Sequence, residues 1–162
     1  TESIKICYQT LNEVNMYKLA NTALELFKKG YSCSESIVIA SQQLGIISNE
    51  LKPEVLLKIA SAFSGGMGSG CLCGAVSGAQ VVIGLISGRS DVSQNPAEVK
   101  SKAKELIDKF REKNKVNCCK ALTASYDFAS KERRENCGYI VMDTAIILEE
   151  MLKNAQKERV EA

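Results

Sequence analysis

The sequence places reactive side chains in a glycine-rich stretch, residues 64–79 (SGGMGSGCLCGAVSGA). Five glycines at positions 65–74 allow the backbone to turn sharply, and an apolar run follows at 81–86. We therefore expect a loop that leads into a buried helix. Cys71 and Cys73 lie at that junction, where the unpaired N–H groups and positive dipole end of a helix favour a thiolate over a thiol. This stretch predicts a reactive or metal-binding sulfur, although the same glycines also suit close helix packing alone.

Seven cysteines and no histidine limit the chemistry available to the chain. Without histidine there is no Cys-His or Ser-His catalytic pair, no histidine-ligated zinc and no c-type haem attachment through Cys-x-x-Cys-His. An odd number of cysteines argues against a fully paired disulfide framework, and the N-terminus has no apolar secretory core. The sequence therefore predicts a cytoplasmic protein whose thiols are reduced.

Composition and charge are those of an ordinary globular chain. It has 162 residues, of which 45% are hydrophobic and 25% charged, with a net charge of +2. That length can bury a continuous core without disulfides or metals, so residues 1–162 are expected to form one helical domain. Lysines and glutamates are interspersed without a basic block, and no apolar run approaches the roughly 20 residues that cross a bilayer. We therefore expect neither nucleic acid nor a membrane as a partner.

Helical periodicity runs through the chain, and no strand-like alternation of useful length occurs. Ser32 and Glu35 predict a capping box. A charged loop or frayed turn is expected at 131–136. The nearly apolar helix at 72–87 is expected at the centre of the bundle, where a second subunit could cover it, so a homodimer is an alternative to a monomer. The predicted fold class is an all-α, single-domain bundle of about six or seven helices, at 14–29, 33–44, 53–63, 72–87, 96–113, 119–126 and 137–157.

Several motifs, in the same order along the chain, resemble those of the C_GCAxxG_C_C family of small redox-active proteins. Four widely separated cysteines are characteristic of this family. Residues 73–78 (CGAVSG) fit the CGAxxG signature. Further matches are Gly-Tyr-Ser-Cys at 30–33, Gly-Gly-Met at 65–67, Cys-Lys-Ala-Leu at 119–122 and Cys-Gly-Tyr-Ile-Val at 137–141. The resemblance covers about residues 15–152. It implies a redox function for Cys33, Cys73, Cys119 and Cys137.

Three further cysteines lie outside that set. Cys118 directly precedes Cys119, which fits the Cys-x-x-Leu pattern better. Cys71 is not required by the signature. Cys71 and Cys118 are therefore alternative ligands or resolving thiols, whereas Cys7 is expected to be a plain small residue.

The four cysteines of the resemblance each open a predicted helix, on or near its inward face, so they could meet at one end of a bundle. Helix dipoles would then favour their thiolate forms. Gly74 and Gly78 share one helix face and suit either a tight helix crossing or a cofactor beside Cys73. An all-sulfur site suits an iron–sulfur cluster or tetrahedral zinc, and the resemblance to redox proteins favours iron because zinc has no redox chemistry.

Two alternatives stay open at this point. Two convergent cysteines, such as Cys33 with Cys73 or Cys119 with Cys137, could cycle between dithiol and disulfide without a metal. The thiols could instead be buried core residues of a structural or interaction protein. The leading interpretation is an oxidoreductase or electron-transfer component with an iron–sulfur cluster, whose redox partner the sequence does not identify.

Overall fold

Seven α-helices form the regular structure of residues 17–161, the part of the chain that the computed structural model describes. They are α1 (Lys18–Lys28), α2 (Cys33–Gln43), α3 (Pro53–Ser61), α4 (Gly74–Ser87), α5 (Ala97–Asn114), α6 (Cys119–Leu122) and α7 (Lys131–Glu161). A tight turn with several left-handed residues, Gly66–Gly70, precedes α4. Residues 17–161 contain no strand. The predicted all-α, single-domain bundle is confirmed. The expectations for Cys7 and for a helix start at residue 14 fall outside the described residues.

Helix α2 lies at the centre of the bundle, because it packs against α1, α3, α4 and α7. Its start is fixed by the predicted capping box. The Ser32 hydroxyl accepts a hydrogen bond from the Glu35 amide, and the Glu35 carboxylate accepts one from the Ser32 amide at 2.7 Å. Eight of the eleven residues of α2 are buried. The capping box therefore holds Cys33, the first residue of α2, at a defined position next to the core.

Helix α4 crosses α2 with the two backbones in close approach. A Cβ atom at Gly78 would lie 2.6 Å from the Ser34 carbonyl oxygen and 2.9 Å from the Ser34 Cα. The backbone of α2 thus fills the space beside Gly78, as the packing interpretation expects. Only the first part of α4 is buried throughout, since Gly84, Leu85 and Ile86 are exposed.

The last helix begins at Lys131 rather than at residue 137. The prediction of a charged loop or frayed turn at 131–136 was wrong, because the Ser130 hydroxyl accepts a hydrogen bond from the Arg133 amide at 3.1 Å and so caps the helix. The charged residues that follow are good helix formers. Cys137 therefore does not open a helix. It lies in the second turn of α7.

Helix α7 runs along α1 and also contacts α5. The Leu19 amide at the start of α1 donates a hydrogen bond to the Glu149 carboxylate at 3.1 Å. At the other end, a Cβ at Gly138 would come within 3.2 Å of the Leu24 side chain and 3.6 Å of Phe27. This contact sets Cys137, the neighbour of Gly138, beside the turn between α1 and α2. Within residues 17–161 no helix has both the length and the apolar character to cross a membrane.

Gly78→Ala and Gly84→Ala are a matched pair that tests the close crossing of α2 and α4. We expect Gly78→Ala to destabilise the fold by about 1–3 kcal/mol, because the added methyl group meets the backbone of α2. Gly84→Ala, on the same helix with nothing within 4 Å, is expected to stabilise it by about 0.5–1 kcal/mol. Urea unfolding measures both changes. Equal effects of the two substitutions would contradict the close crossing.

Candidate functional site

Two segments, each carrying two cysteines, lie side by side at the starts of α4 and α6. The Cys73 amide donates a hydrogen bond to the Asn117 carbonyl at 2.8 Å, and the Cys119 amide donates one to the Cys71 carbonyl at 2.5 Å. These hydrogen bonds flank an isolated antiparallel β-bridge between Leu72 and Cys118. The pairing holds two segments that are distant in sequence at a fixed separation, and it brings the beginnings of α4 and α6 together.

The four cysteines of these segments differ in burial. Cys73 and Cys119 are only 6% and 9% exposed. Cys71 is exposed, and the half-buried Cys118 thiol donates a hydrogen bond to the Gly70 carbonyl at 3.0 Å. Cys73 and Cys119 therefore belong to the buried interior at this point, whereas Cys71 and Cys118 lie toward its outer side.

The left-handed turn before α4 explains the glycine-rich sequence there. Gly66 has a positive φ of 62°, and a Cβ on it would lie 2.5 Å from the Cys71 nitrogen and 2.8 Å from the Cys119 Cβ. Met67 also adopts a left-handed conformation, with φ at 58°. The loop thus passes directly over Cys119, which is possible only where a glycine faces that residue. The loop was predicted, but its left-handed turn over Cys119 was not.

Cys33 reaches the same region from the start of α2. A Cβ at Gly74 would collide with the Cys33 sulfur, so the missing side chain at Gly74 leaves room for that sulfur. The Gly65 amide acts as a hydrogen-bond donor toward Cys33 and lowers the pKa of its thiol, but burial outweighs this and raises it. The glycine of the signature and the glycine-rich loop therefore both contact Cys33.

The sulfurs of the four predicted cysteines are close enough to affect one another's charge. Burial, with smaller contributions from the Cys33 and Cys119 sulfurs, raises the pKa of Cys73 to about 12. Burial likewise raises the pKa of Cys137 to about 11, again with contributions from Cys33 and Cys119. Cys33 and Cys119 thus each influence both Cys73 and Cys137, and these four thiols are called the four-cysteine group.

The expectation that helix N-termini would favour thiolates was wrong for the metal-free site. Burial is the largest influence on all four thiols, and it raises the pKa of each. The Ala75 and Val76 amides at the start of α4 lower the pKa of Cys73, but they do not offset burial. Cys119 begins a helix of only four residues, and Cys137 lies a turn inside α7, so neither has a strong helix terminus to stabilise its charge.

Two arginines beside the four-cysteine group were not found by sequence reasoning. Burial raises the pKa of Cys119, while the Arg133 guanidinium lowers it through its charge and a hydrogen bond. Arg133 and Arg134 likewise lower the pKa of Cys137, against the larger effect of burial. A sequence signal existed, because in a helix residues 133 and 134 fall four and three positions before Cys137, respectively. It was missed because this segment was predicted to be a loop.

The donor set of the four-cysteine group fits a soft metal, because thiolates are its only ligands. The six cysteines of the described chain are free thiols. Among residues 17–161 no three His, Cys, Asp or Glu side chains are arranged to hold a single metal ion. In an iron–sulfur cluster the cysteines bind different iron atoms, so their sulfurs need not surround a single point. The fit of such a cluster therefore depends on the sulfurs and on their surroundings. The backbone packs closely around two of these cysteines, since a Cβ at Gly66 would lie 2.8 Å from the Cys119 Cβ and one at Gly74 would collide with the Cys33 sulfur.

Comparison with known proteins agrees with the cysteine pattern. A family model described as "Putative redox-active protein (C_GCAxxG_C_C)" matches residues 31–151. No curated protein and no solved structure matches the chain. Because the match spans most of the 162 residues, the chain belongs to the C_GCAxxG_C_C family, as its motifs predicted.

Proposed function

We propose that this protein transfers electrons through an iron–sulfur cluster bound by the four-cysteine group. The observation that carries this proposal is that the Cys33 sulfur lies against Gly74 beside the paired Cys73 and Cys119 segments, and that Cys33 and Cys119 both raise the pKa of Cys137. Bringing several negatively charged sulfurs together in a buried site is unfavourable unless a cation neutralises them. Iron supplies that positive charge and binds thiolate readily. The proposed ligands are Cys33, Cys73, Cys119 and Cys137.

The surroundings of the sulfurs support a negatively charged bound state. Gly65 donates its amide toward Cys33, and Ala75 and Val76 donate theirs toward Cys73. Hydrogen bonds to ligand sulfurs stabilise their negative charge and set the potential of such a cluster. When bound, the cluster supplies the one-electron transfer. The chain itself contributes the ligands, the N–H donors and a largely dry environment.

Zinc is a weaker candidate than an iron–sulfur cluster. A zinc ion needs four donors around a single point, with sulfurs about 2.3 Å from the metal. Within the described residues no three donor side chains are grouped in that way. Zinc also has no redox chemistry, whereas the family is described as redox-active. The zinc interpretation would therefore leave both the donor arrangement and the family description unexplained.

Dithiol–disulfide cycling is the second candidate. It needs only two neighbouring sulfurs, and the Cys33 sulfur lies against Gly74, the residue next to Cys73. Free thiols also suit a reducing compartment, in agreement with the proposed cytoplasmic location. Against it, the thiolate is the attacking form, and burial raises the pKa of Cys73 to about 12. An attack from this site at neutral pH would be slow.

The metal proposal predicts a brown protein after anaerobic purification, with visible absorption and with iron and sulfide in cluster stoichiometry. Cys73→Ser or Cys137→Ser should abolish bound iron because each removes a proposed ligand. Cys71→Ser and Cys118→Ser are the matched controls and should retain it, since these residues lie toward the outer side of the group. Iron retained after both Cys73→Ser and Cys137→Ser would refute this ligand set.

The same measurements separate the alternatives. Colourless protein with one reversible thiol pair would support dithiol–disulfide cycling and contradict the cluster. Colourless protein whose buried thiols neither oxidise reversibly nor bind iron would support a structural or interaction protein instead.

Thiol alkylation of the metal-free protein is predicted to depend steeply on pH. The pKa of Cys137 is raised to about 11, so its thiolate appears only as the pH rises toward that value. At pH 8 its alkylation should be slower than that of an ordinary thiol by about two orders of magnitude, since an unperturbed cysteine has a pKa near 8.5. Mass spectrometry after timed alkylation compares Cys137 with the exposed Cys71. Equal rates at pH 8 would contradict this account and favour a reactive dithiol.

A further inference from the structure

A cavity of about 480 Å³ lies at the start of α7 with Cys137 in its wall. Its other lining residues include two aromatic and three basic side chains, and within the described chain no acidic residue lines it. These five residues are Phe27, Phe128, Lys131, Arg133 and Arg134. The cavity therefore connects one thiol of the four-cysteine group with a positively charged, partly aromatic surface.

Arg133 is held against an exposed aromatic ring. Its guanidinium carbon lies 4.4 Å from the centroid of the Phe128 ring, and it donates a hydrogen bond to the Phe128 carbonyl at 2.8 Å. The Phe128 side chain is 86% exposed, an unusual position for a large apolar residue. A guanidinium fixed on a ring presents a flat surface with N–H donors along its edge.

Arg134 repeats this arrangement with the Phe27 ring. Its guanidinium carbon lies 4.4 Å from the Phe27 ring centroid, and it donates to the Phe27 carbonyl at 2.5 Å. A guanidinium carries five N–H groups, so these contacts leave donors for a ligand. Lys131 has Glu135 within 3.7 Å, whereas neither arginine forms an ion pair with a carboxylate of the described chain. The two guanidiniums thus supply the unbalanced positive charge of the cavity.

We infer that this cavity binds a small organic anion, in which a carboxylate or phosphate group is attached to a planar apolar part. The two guanidiniums suit the anionic group because their N–H donors match carboxylate and phosphate oxygens in pairs. The exposed Phe128 ring suits the planar part, which would cover it from water. Cys137 in the wall brings such a molecule next to the four-cysteine group. The identification of this ligand as a reactant of the redox site rests on the proposed function, whereas its binding requires only the cavity.

Calorimetric titration of the full, metal-free chain with phenyl phosphate and with benzoate tests the inference. We expect saturable binding of at least one of them at a single site, and the tighter of the two identifies the anionic group. Arg133→Gln should weaken that binding at least tenfold. The matched control is Arg111→Gln, an exposed cation on α5 that does not line the cavity, and it should change the affinity less than twofold.

Several results would overturn the inference. These are no binding of either anion, equal binding of neutral benzamide, inorganic phosphate binding as tightly as phenyl phosphate, or unchanged affinity in Arg133→Gln. Phe128→Ala keeps the test decisive if Arg133→Gln does not fold, because the exposed Phe128 ring contributes little to the core. It should reduce the affinity for phenyl phosphate to that for inorganic phosphate, and an unchanged affinity would contradict the proposed aromatic contact.

Iron analysis of the same preparations separates this inference from the proposed function. Anion binding by a protein that never acquires iron would support the cavity and refute the cluster. A protein that holds a cluster but binds neither anion would refute the cavity alone. Bound anion should also slow the alkylation of Cys137 but not of the exposed Cys71, which does not line the cavity.

Discussion

The burial of neighbouring thiols is the constraint that the rest of this structure must satisfy. Loss of water, together with the adjacent sulfurs, raises the pKa of Cys73 to about 12, so a negative charge there is unfavourable. Three features of the fold act in the opposite direction: the Gly65 amide beside Cys33, the amides at the start of α4, and the Arg133 guanidinium. The protein therefore surrounds neutral thiols with groups that stabilise charged sulfur, which is the form that a bound metal would create.

A helix cap and close backbone contacts position the segments that carry the four-cysteine group. The capping box fixes the start of α2, and hydrogen bonds between the Cys73 and Cys119 segments join the starts of α4 and α6. Glycines make these approaches possible, since a side chain at Gly66 or Gly74 would strike Cys119 or Cys33. The signature glycines thus support the site through packing. That role explains their spacing without requiring them to touch a cofactor.

Local features of this structure could be predicted from the sequence, and non-local ones could not. Helix periodicity and the Ser32 cap depend on neighbouring residues, so the all-α fold and the start of α2 were predicted correctly. The early start of α7 was missed because the Ser130 cap before a highly charged segment was not recognised. The raised pKa values depend on burial by distant helices, and the pairing of the Cys73 and Cys119 segments joins residues that no local pattern connects. The cysteine motifs identified the family, but they carried no information on the raised pKa values or on the pairing of the two segments.

The central claim is that sulfurs from four separate segments serve one metal centre. The most direct measurement is a crystal structure of the anaerobically purified protein, with anomalous difference maps recorded on either side of the iron absorption edge. The account predicts iron density within bonding distance of the sulfurs of Cys33, Cys73, Cys119 and Cys137. Iron bound elsewhere, or those four sulfurs empty of metal in protein that contains iron, would contradict it.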